Sequence, residues 1–222
     1  MTKPTPATSR YVDLSHELYD GMPPYPRLPQ PCIGARRDHA ASRPNYAGEE
    51  FFLGIPANIG TYIDAPFHRF RDSADLSQIP LSRLVGLPGV VVDYTRAPNR
   101  DLEPHLEPEG LHGAAVLVRT RWDRRSGSDA YWQPGRTLSV EFADLLVRSR
   151  VALLGVDCWN ADDTTTRRRP VHTRLLGAGI LIVEHLYGLQ DLPASGFRLS
   201  TPVPRIRQGA SFPVRAFAEL PA

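Results

Sequence analysis

The 222-residue chain is predicted to form a single mixed α/β domain with a mostly central sheet, on three observations. Short β-branched runs recur along it, at Gly89-Val-Val-Val-Asp-Tyr, Ala114-Ala-Val-Leu-Val-Arg-Thr and Val151-Ala-Leu-Leu-Gly-Val-Asp, and each is the length of a buried strand. Between them, Ser139 to Arg150 carries Phe142, Leu145 and Leu146 at helical spacing behind a serine cap. Finally, the length suffices for one substantial core and demands no second. We place the domain at residues 11–222, with residues 1–10 as a polar, proline-containing tail.

The remaining elements follow from local pattern. Tyr11-Val-Asp-Leu-Ser-His alternates apolar and polar residues and reads as a short strand, leading into a loop from Gly21 to Pro31 whose prolines forbid a helix interior. Phe51 to Ile55 reads as a strand. Asn58 to Asp64 reads as a turn and strand in which Gly60 lets backbone approach closely, and Pro66 ends regular structure there. His172 to Leu176 suits a short helix, and Gly179-Ile-Leu-Ile-Val-Glu an apolar strand ending on a carboxylate. There is no internal repeat, and the 22 prolines are spread through the loops, so no low-complexity linker is indicated.

Composition excludes several classes of function. Hydrophobic residues at 41% and charged residues at 23% fit an ordinary soluble chain and exclude a collagen-like or disordered one. The net charge of +2 argues against a nucleic-acid surface. Arg167-Arg168-Arg169 is too short for a phosphate-tracking patch; it reads as a solvated loop, or as the source of one arginine that meets a substrate carboxylate. Cys32 and Cys158 are far apart and suggest neither a disulfide framework nor a zinc site, which fits a reducing cytoplasm. No stretch reads as a signal peptide or a membrane span.

The densest chemical signal is Ala57 to His68, Ala-Asn-Ile-Gly-Thr-Tyr-Ile-Asp-Ala-Pro-Phe-His. It resembles the motif HxGTHxDxPxH of the cyclase family, which includes kynurenine formamidases and isatin hydrolases, with Asn58 and Tyr62 in place of the first two histidines. Asp13-Leu-Ser-His-Glu-Leu, Gly21-Met-Pro, Gly155-Val-Asp157 and His172 to Glu184 resemble further family elements in family order. The resemblance implies a swivelling β/β/α domain with an antiparallel barrel-like sheet, assembled as a homodimer or homotetramer, acting on a small molecule and on neither nucleic acid nor membrane.

In two-metal members the first ion sits on both motif histidines and the aspartate, and the second on that aspartate with the C-terminal histidine and glutamate. By that resemblance the second set is Asp64, His172 and Glu184, intact here. The first is reduced to Asp64, because an amide oxygen and a neutral phenol of pKa near ~10 are poor zinc ligands. Two readings follow. In one, Asp64, His172 and Glu184 hold a single zinc or manganese ion. In the other, preferred on sequence, no cofactor is required, and Asp64, His68, His172 and Glu184 act as acid–base groups.

On that second reading Tyr62 and Asn58 hold a substrate carbonyl in place of the ion, and Tyr25 stands where formamidases place a stacking aromatic ring. His68 is the proton carrier on either reading, its ordinary pKa of about 6.5 lying near working pH. The expected activity is a metal-independent cyclisation or dehydration-type step on a small cyclic or cyclisable carbonyl compound, in secondary metabolism. The alternatives are a one-metal hydrolase opening a formamide, lactam or lactone, and an inactive ligand-binding homologue. His16 and His185 are left outside the site, His185 because strand alternation puts it on the face opposite Glu184. Asp157 reads as fixing a turn, and Asp162 and Asp163 as a polar loop that is solvated or covers the pocket.

Overall fold

The computed structural model describes residues 10–37, 50–98 and 100–221. In chain order its elements are β1 (Arg10–Asp13), β2 (Cys32–Arg37), β3 (Glu50–Gly54), β4 (Tyr62–Asp64), β5 (Leu87–Asp93), β6 (Asp101–Leu102), β7 (Ala115–Arg119) and β8 (Thr137–Leu138). There follow α1 (Val140–Arg148), β9 (Leu153–Val156), α2 (Pro170–Gly177), β10 (Leu181–Glu184), β11 (Ser195–Ser200), β12 (Ser211–Pro213) and β13 (Phe217–Leu220). Nine strands form one sheet in the order β1-β13-β11-β5-β7-β9-β10-β4-β12, while β2 pairs with β3 and β6 with β8.

The centre of the large sheet, β5-β7-β9-β10, is parallel, and both flanks are antiparallel. This is the barrel-like sheet expected from the resemblance, with its antiparallel character concentrated at the flanks. Parallel neighbours need long crossovers. α1 lies in the crossover from β7 to β9, and α2 in that from β9 to β10.

Period-two alternation divides the core. Val116 and Val118 of β7, Leu154 and Val156 of β9 and Ile182 of β10 join the helix-side cluster with Phe142, Leu146, Val171 and Leu175. The intervening Ala115, Leu117, Leu153, Leu181 and Val183 pack on the other face with Leu14, Ile63, Phe197 and Leu199. Both faces are dry, which explains the near-continuous apolar runs of the central strands. The helix-side layer is fixed by α1, whose Ser139 Oγ accepts from Phe142 N at 3.0 Å, a cap of the kind that contributes about 1 kcal/mol.

Three expectations are refined. Pro66 opens a 3-10 turn, Pro66–His68, because a proline at a first helical position loses only an N–H that has no partner there. The expected terminal tail lies outside the described residues except for Arg10, which opens β1 opposite Leu220. The strands after residue 194 were not read from sequence: β12 is three residues long and β11 departs from alternation at the register shift between Ser195 and Phe197. Both cysteines are free, Cys32 exposed and Cys158 buried. No helix among the described residues is long and apolar enough to cross a membrane.

Gly60, which introduces β4, has φ +58°, and a Cβ there would lie 2.4 Å from Leu18 Cδ2. Side-chain-bearing residues avoid that backbone region, and the added methyl would displace a packed leucine. Gly60→Ala should therefore cost about 1–3 kcal/mol. For a chain of this size that lowers the thermal midpoint by on the order of 5 °C, readable by calorimetry.

Candidate metal centre and its cleft

Register assembles the site. In the β10/β4 pair Glu184 lies opposite Tyr62 and Ile182 opposite Asp64, and in the β12/β4 pair Ser211 lies opposite Asp64. Opposed residues share a face, so Tyr62, Asp64, Glu184 and Ser211 all point to the side on which Ile182 meets the helices. There the Tyr62 hydroxyl donates to Glu184 Oε2, and Ser211 Oγ donates to Asp64 Oδ1.

α2 brings His172 to the same place. Nothing at Arg169 caps this helix; instead the Asp162 carboxylate accepts from Val171 N at 2.9 Å and His172 N at 3.0 Å. Asp162 Oδ2 also lies 2.6 Å from His172 Nδ1. One anion thus serves a helix N-terminus and fixes the imidazole so that Nε2 faces the carboxylates. Asp162 is 2% exposed, correcting the reading of a solvated or covering loop. Its sequence neighbours Asp163 and Thr164 are polar and only part-buried, which is why the segment reads as surface.

Asp64, His172 and Glu184 are all buried, and one donor atom from each lies within 4.8 Å of the others. His172 Nε2 is 3.6 Å from Asp64 Oδ2 and 3.4 Å from Glu184 Oε1. Those separations are too long for good hydrogen bonds. They match the ~3.3–3.6 Å spacing of donors around a tetrahedral ion with bonds of about 2.0–2.2 Å. The residues fit a divalent cation.

Charge supports the same conclusion. Burial, aided by Asp64, raises the Glu184 acid to about 7. Burial alone would depress His172, but Glu184, Asp162 and Asp64 outweigh it and raise the imidazole to about 10. Against its burial, the Asp64 acid is held low by the neighbouring His172 and His68 imidazoles and by the Ser211 hydroxyl. Three acids thus hold a positive charge among them, a proton when no metal is bound.

His68 stands at the edge of the centre. Its Nδ1 is 3.7 Å from Asp64 Oδ1 and 3.2 Å from Ser211 Oγ. Since Ser211 gives its proton to Asp64, its oxygen accepts from His68 Nδ1–H, leaving the Nε2 lone pair free for chemistry. The cleft, about 280 Å³, is lined by Tyr62, Asp64, His68, His172 and Glu184 together with Tyr25, Asn58, Arg69, Asn160 and Arg169. All seven residues singled out from sequence, Tyr25, Asn58, Tyr62, Asp64, His68, His172 and Glu184, therefore line one cleft. Tyr62 differs from expectation in detail: its hydroxyl, bonded also by the Asn58 side chain, is spent on Glu184 instead of facing a carbonyl.

Of the three arginines only Arg169 lines the cleft. Its Nη1 is taken by the Asp163, Thr166 and Arg168 carbonyls, so it stitches its own loop. Asp157 fixes a turn, accepting from Thr120 N and Oγ1 and from Arg121 N where Arg121 has φ +63°. Sequence reasoning passed over Ser211, Arg69 and Asn160, and read Asp162 only as part of a polar loop. An Asp ten residues before a candidate histidine was the one signal for Asp162; Ser211 had none.

Metal binding must displace the proton on His172, and below pH 7 that on Glu184 as well. Calorimetry in buffers of differing ionisation enthalpy should show release of about one proton per zinc at pH 8, approaching two at pH 6, with apparent affinity falling as pH falls. Asp162→Asn, which frees the imidazole, should weaken zinc binding by about 10–100-fold.

Comparison with known proteins agrees with this picture. The family model described as "Putative cyclase" matches residues 12–163. The kynurenine formamidase of Salinibacter ruber is 28% identical over 182 residues, covering 82% of this chain and 83% of that protein. Isatin hydrolase A from Labrenzia aggregata, solved with benzyl benzoate, superposes with a TM-score of 0.80 at 25% identity, covering 96% of this chain and 94% of that one. A structure from Bacillus stearothermophilus described as a predicted metal-dependent hydrolase gives a TM-score of 0.76 at 24% identity, covering 96% and 99%. The metal-free expectation is overturned by the intact donor set: Asp64, His172 and Glu184, read from sequence as free proton carriers, are grouped as a candidate metal site. The chain belongs to the cyclase family.

Proposed function

We propose that the protein is a one-metal hydrolase that opens the carbon–nitrogen bond of a small aryl amide, a formamide or a lactam. The observation that carries this reading is the buried Asp64–His172–Glu184 donor set flooring a cleft that also holds an ungated proton carrier, His68. A divalent ion at those residues supplies Lewis acidity and lowers the pKa of water toward about 7. The relatives known as kynurenine formamidase and isatin hydrolase support the choice of an amide carbonyl.

The chain's own residues supply the rest. His68 Nε2 accepts a proton from the water that adds to the carbonyl carbon, and returns it to the nitrogen as the C–N bond breaks, giving a carboxylate and an amine. Asp64, held by Ser211, bears the histidine's transient charge. Tyr62 occupies ligand space and keeps Glu184 oriented, so the site serves one ion. Tyr25, 5.5 Å from Trp159 between ring centroids, gives the cleft an aromatic wall for a planar body, and Asn58 faces the same space.

Protein purified without chelator should carry about one zinc or manganese per chain by mass spectrometry, and should hydrolyse formanilide. Chelation should abolish turnover and added metal restore it. Against this background His68→Ala should lose about 10²–10⁴-fold in kcat/KM while keeping its metal, since general acid–base catalysis contributes on that scale. Unchanged turnover in that variant, or full activity in a metal-stripped sample, removes the proposal.

A further inference from the structure

Tyr25, Tyr131, Trp132 and Trp159 form one cluster of rings against the cleft. Tyr25 lines the cleft, and its ring centroid lies 5.5 Å from Trp159 and 6.3 Å from Trp132. Trp132 in turn lies 5.7 Å from Trp159 and 5.2 Å from Tyr131. Tyr131 and Trp132 belong to the connection between β7 and β8, and Trp159 follows β9. Rings borne on connecting segments make a fixed wall only if those segments are tied down.

The ties are on the page. Trp122 Nε1 donates to Tyr131 O at 2.9 Å, and Trp159 Nε1 to Gln133 O at 3.0 Å. The Arg125 guanidinium lies over the Trp122 ring, 4.0 Å from its centroid. The Tyr131 hydroxyl and His185 Nδ1 share a hydrogen bond at 2.8 Å. His185 stands one residue past β10 with φ +59°, so its ring leaves the alternation of the strand and turns back beside Tyr62, 5.3 Å between centroids.

Both tryptophans that make these ties are set by one carboxylate. Asp157, 1% exposed, directly follows β9. Its Oδ2 accepts from Thr120 N and Arg121 N, each at 2.7 Å, and its Oδ1 accepts from Thr120 Oγ1 at 2.6 Å. Thr120 Oγ1, having given its proton, accepts from Trp122 N at 3.2 Å. Arg121 sits at φ +63°, a conformation that a side-chain-bearing residue keeps only where its surroundings hold it. The two N–H groups bonded to Asp157 provide that hold, and the bend turns the chain out of β7 into the segment that carries Tyr131 and Trp132. On its other side Asp157 is two residues from Trp159. A buried carboxylate is costly without partners, and three charge-assisted hydrogen bonds make this one stiff.

We propose that Asp157 is a positioning residue for binding of a flat ring in the cleft. It acts through Thr120 and Trp122 on one side and Trp159 on the other, which together hold Tyr131, Trp132 and Tyr25 as a wall; Asp157 does not itself line the cleft. The proposal rests on the hydrolase reading only for the reaction at the metal centre, since the wall acts in binding.

The test uses acetophenone and cyclohexyl methyl ketone, an aromatic and a saturated ring on the same non-hydrolysable carbonyl. In NMR titrations of the purified protein the aromatic ketone should bind about fivefold tighter, the scale of one or two ring contacts. Asp157→Ala should erase that preference and raise KM for formanilide by a similar factor, with kcat and zinc content held. Thr120→Val keeps the shape without the hydroxyl and is the second variant should the first fold poorly; Thr120→Ser, which restores the hydroxyl, should keep the preference. The proposal is overturned if the parent protein shows no preference, if the preference survives both Asp157→Ala and Thr120→Val, or if Thr120→Ser loses it equally. A fall in kcat alone with the preference intact marks a merely structural role and overturns it too. Absence of formanilide turnover, with the preference present in the parent and lost in the variants, counts against the hydrolase reading and supports the anchor.

Discussion

The structure depends on the burial of three carboxylates, Asp64, Asp162 and Glu184, around one imidazole. Acids taken out of water need positive charge or hydrogen-bond donors close by. The fold supplies donors to each: Ser211 to Asp64, Tyr62 and Ala161 N to Glu184, and the first turn of α2 to Asp162. What remains is an unbalanced charge facing His172 Nε2. Without an ion a proton must fill it, which is why His172 is raised and why the cluster is better described as a cation site in its protonated form than as an acid–base relay.

The same balance explains what the unusual motif achieves. Where Asn58 and Tyr62 replace two ligand-type side chains, the phenol does not leave a void: it is fully buried and passes a hydrogen bond from Asn58 to Glu184. Burial, together with the Glu184 and Asp64 charges, pushes the phenol's pKa well above its ordinary value, so it stays a neutral donor. The substitution therefore exchanges a ligand for a support. On the proposed one-metal reading, the phenol orients the carboxylate that would serve the ion.

Much of this was legible in the sequence, and the reasons differ by residue. The central strands were readable because both their faces are buried, so composition alone betrays them; α1 was readable from Ser139 and three apolar residues. The cleft's seven residues were readable through motif resemblance, since Tyr62, Asp64 and His68 lie within one short segment. The metal-free expectation failed because the sequence shows which ligand types are missing but not that His172 Nε2 lies 3.6 and 3.4 Å from the Asp64 and Glu184 carboxylates. Ser211 escaped notice because its place comes from register, and Asp162 was read as loop because the helix it caps begins eight residues later. His185 was discarded by a sound rule applied one residue beyond the strand to which it belongs.

These differences separate two kinds of residue. The groups that hold charge, Asp64, Glu184 and His172, sit on β4, β10 and α2, where ladder pairing and packing fix their positions. Of those that face the remaining space, Tyr25, Asn58 and His185 lie in connecting segments and Trp132 ends a short 3-10 turn, Asp129–Trp132. The charged groups are thus held by regular elements, and much of the surrounding wall by connecting segments. The buried acids need a positive charge, a proton or an ion, to balance them, while the connecting segments can vary without disturbing that balance. A fold so divided can hold its buried charges in place while the connecting segments around the cleft vary.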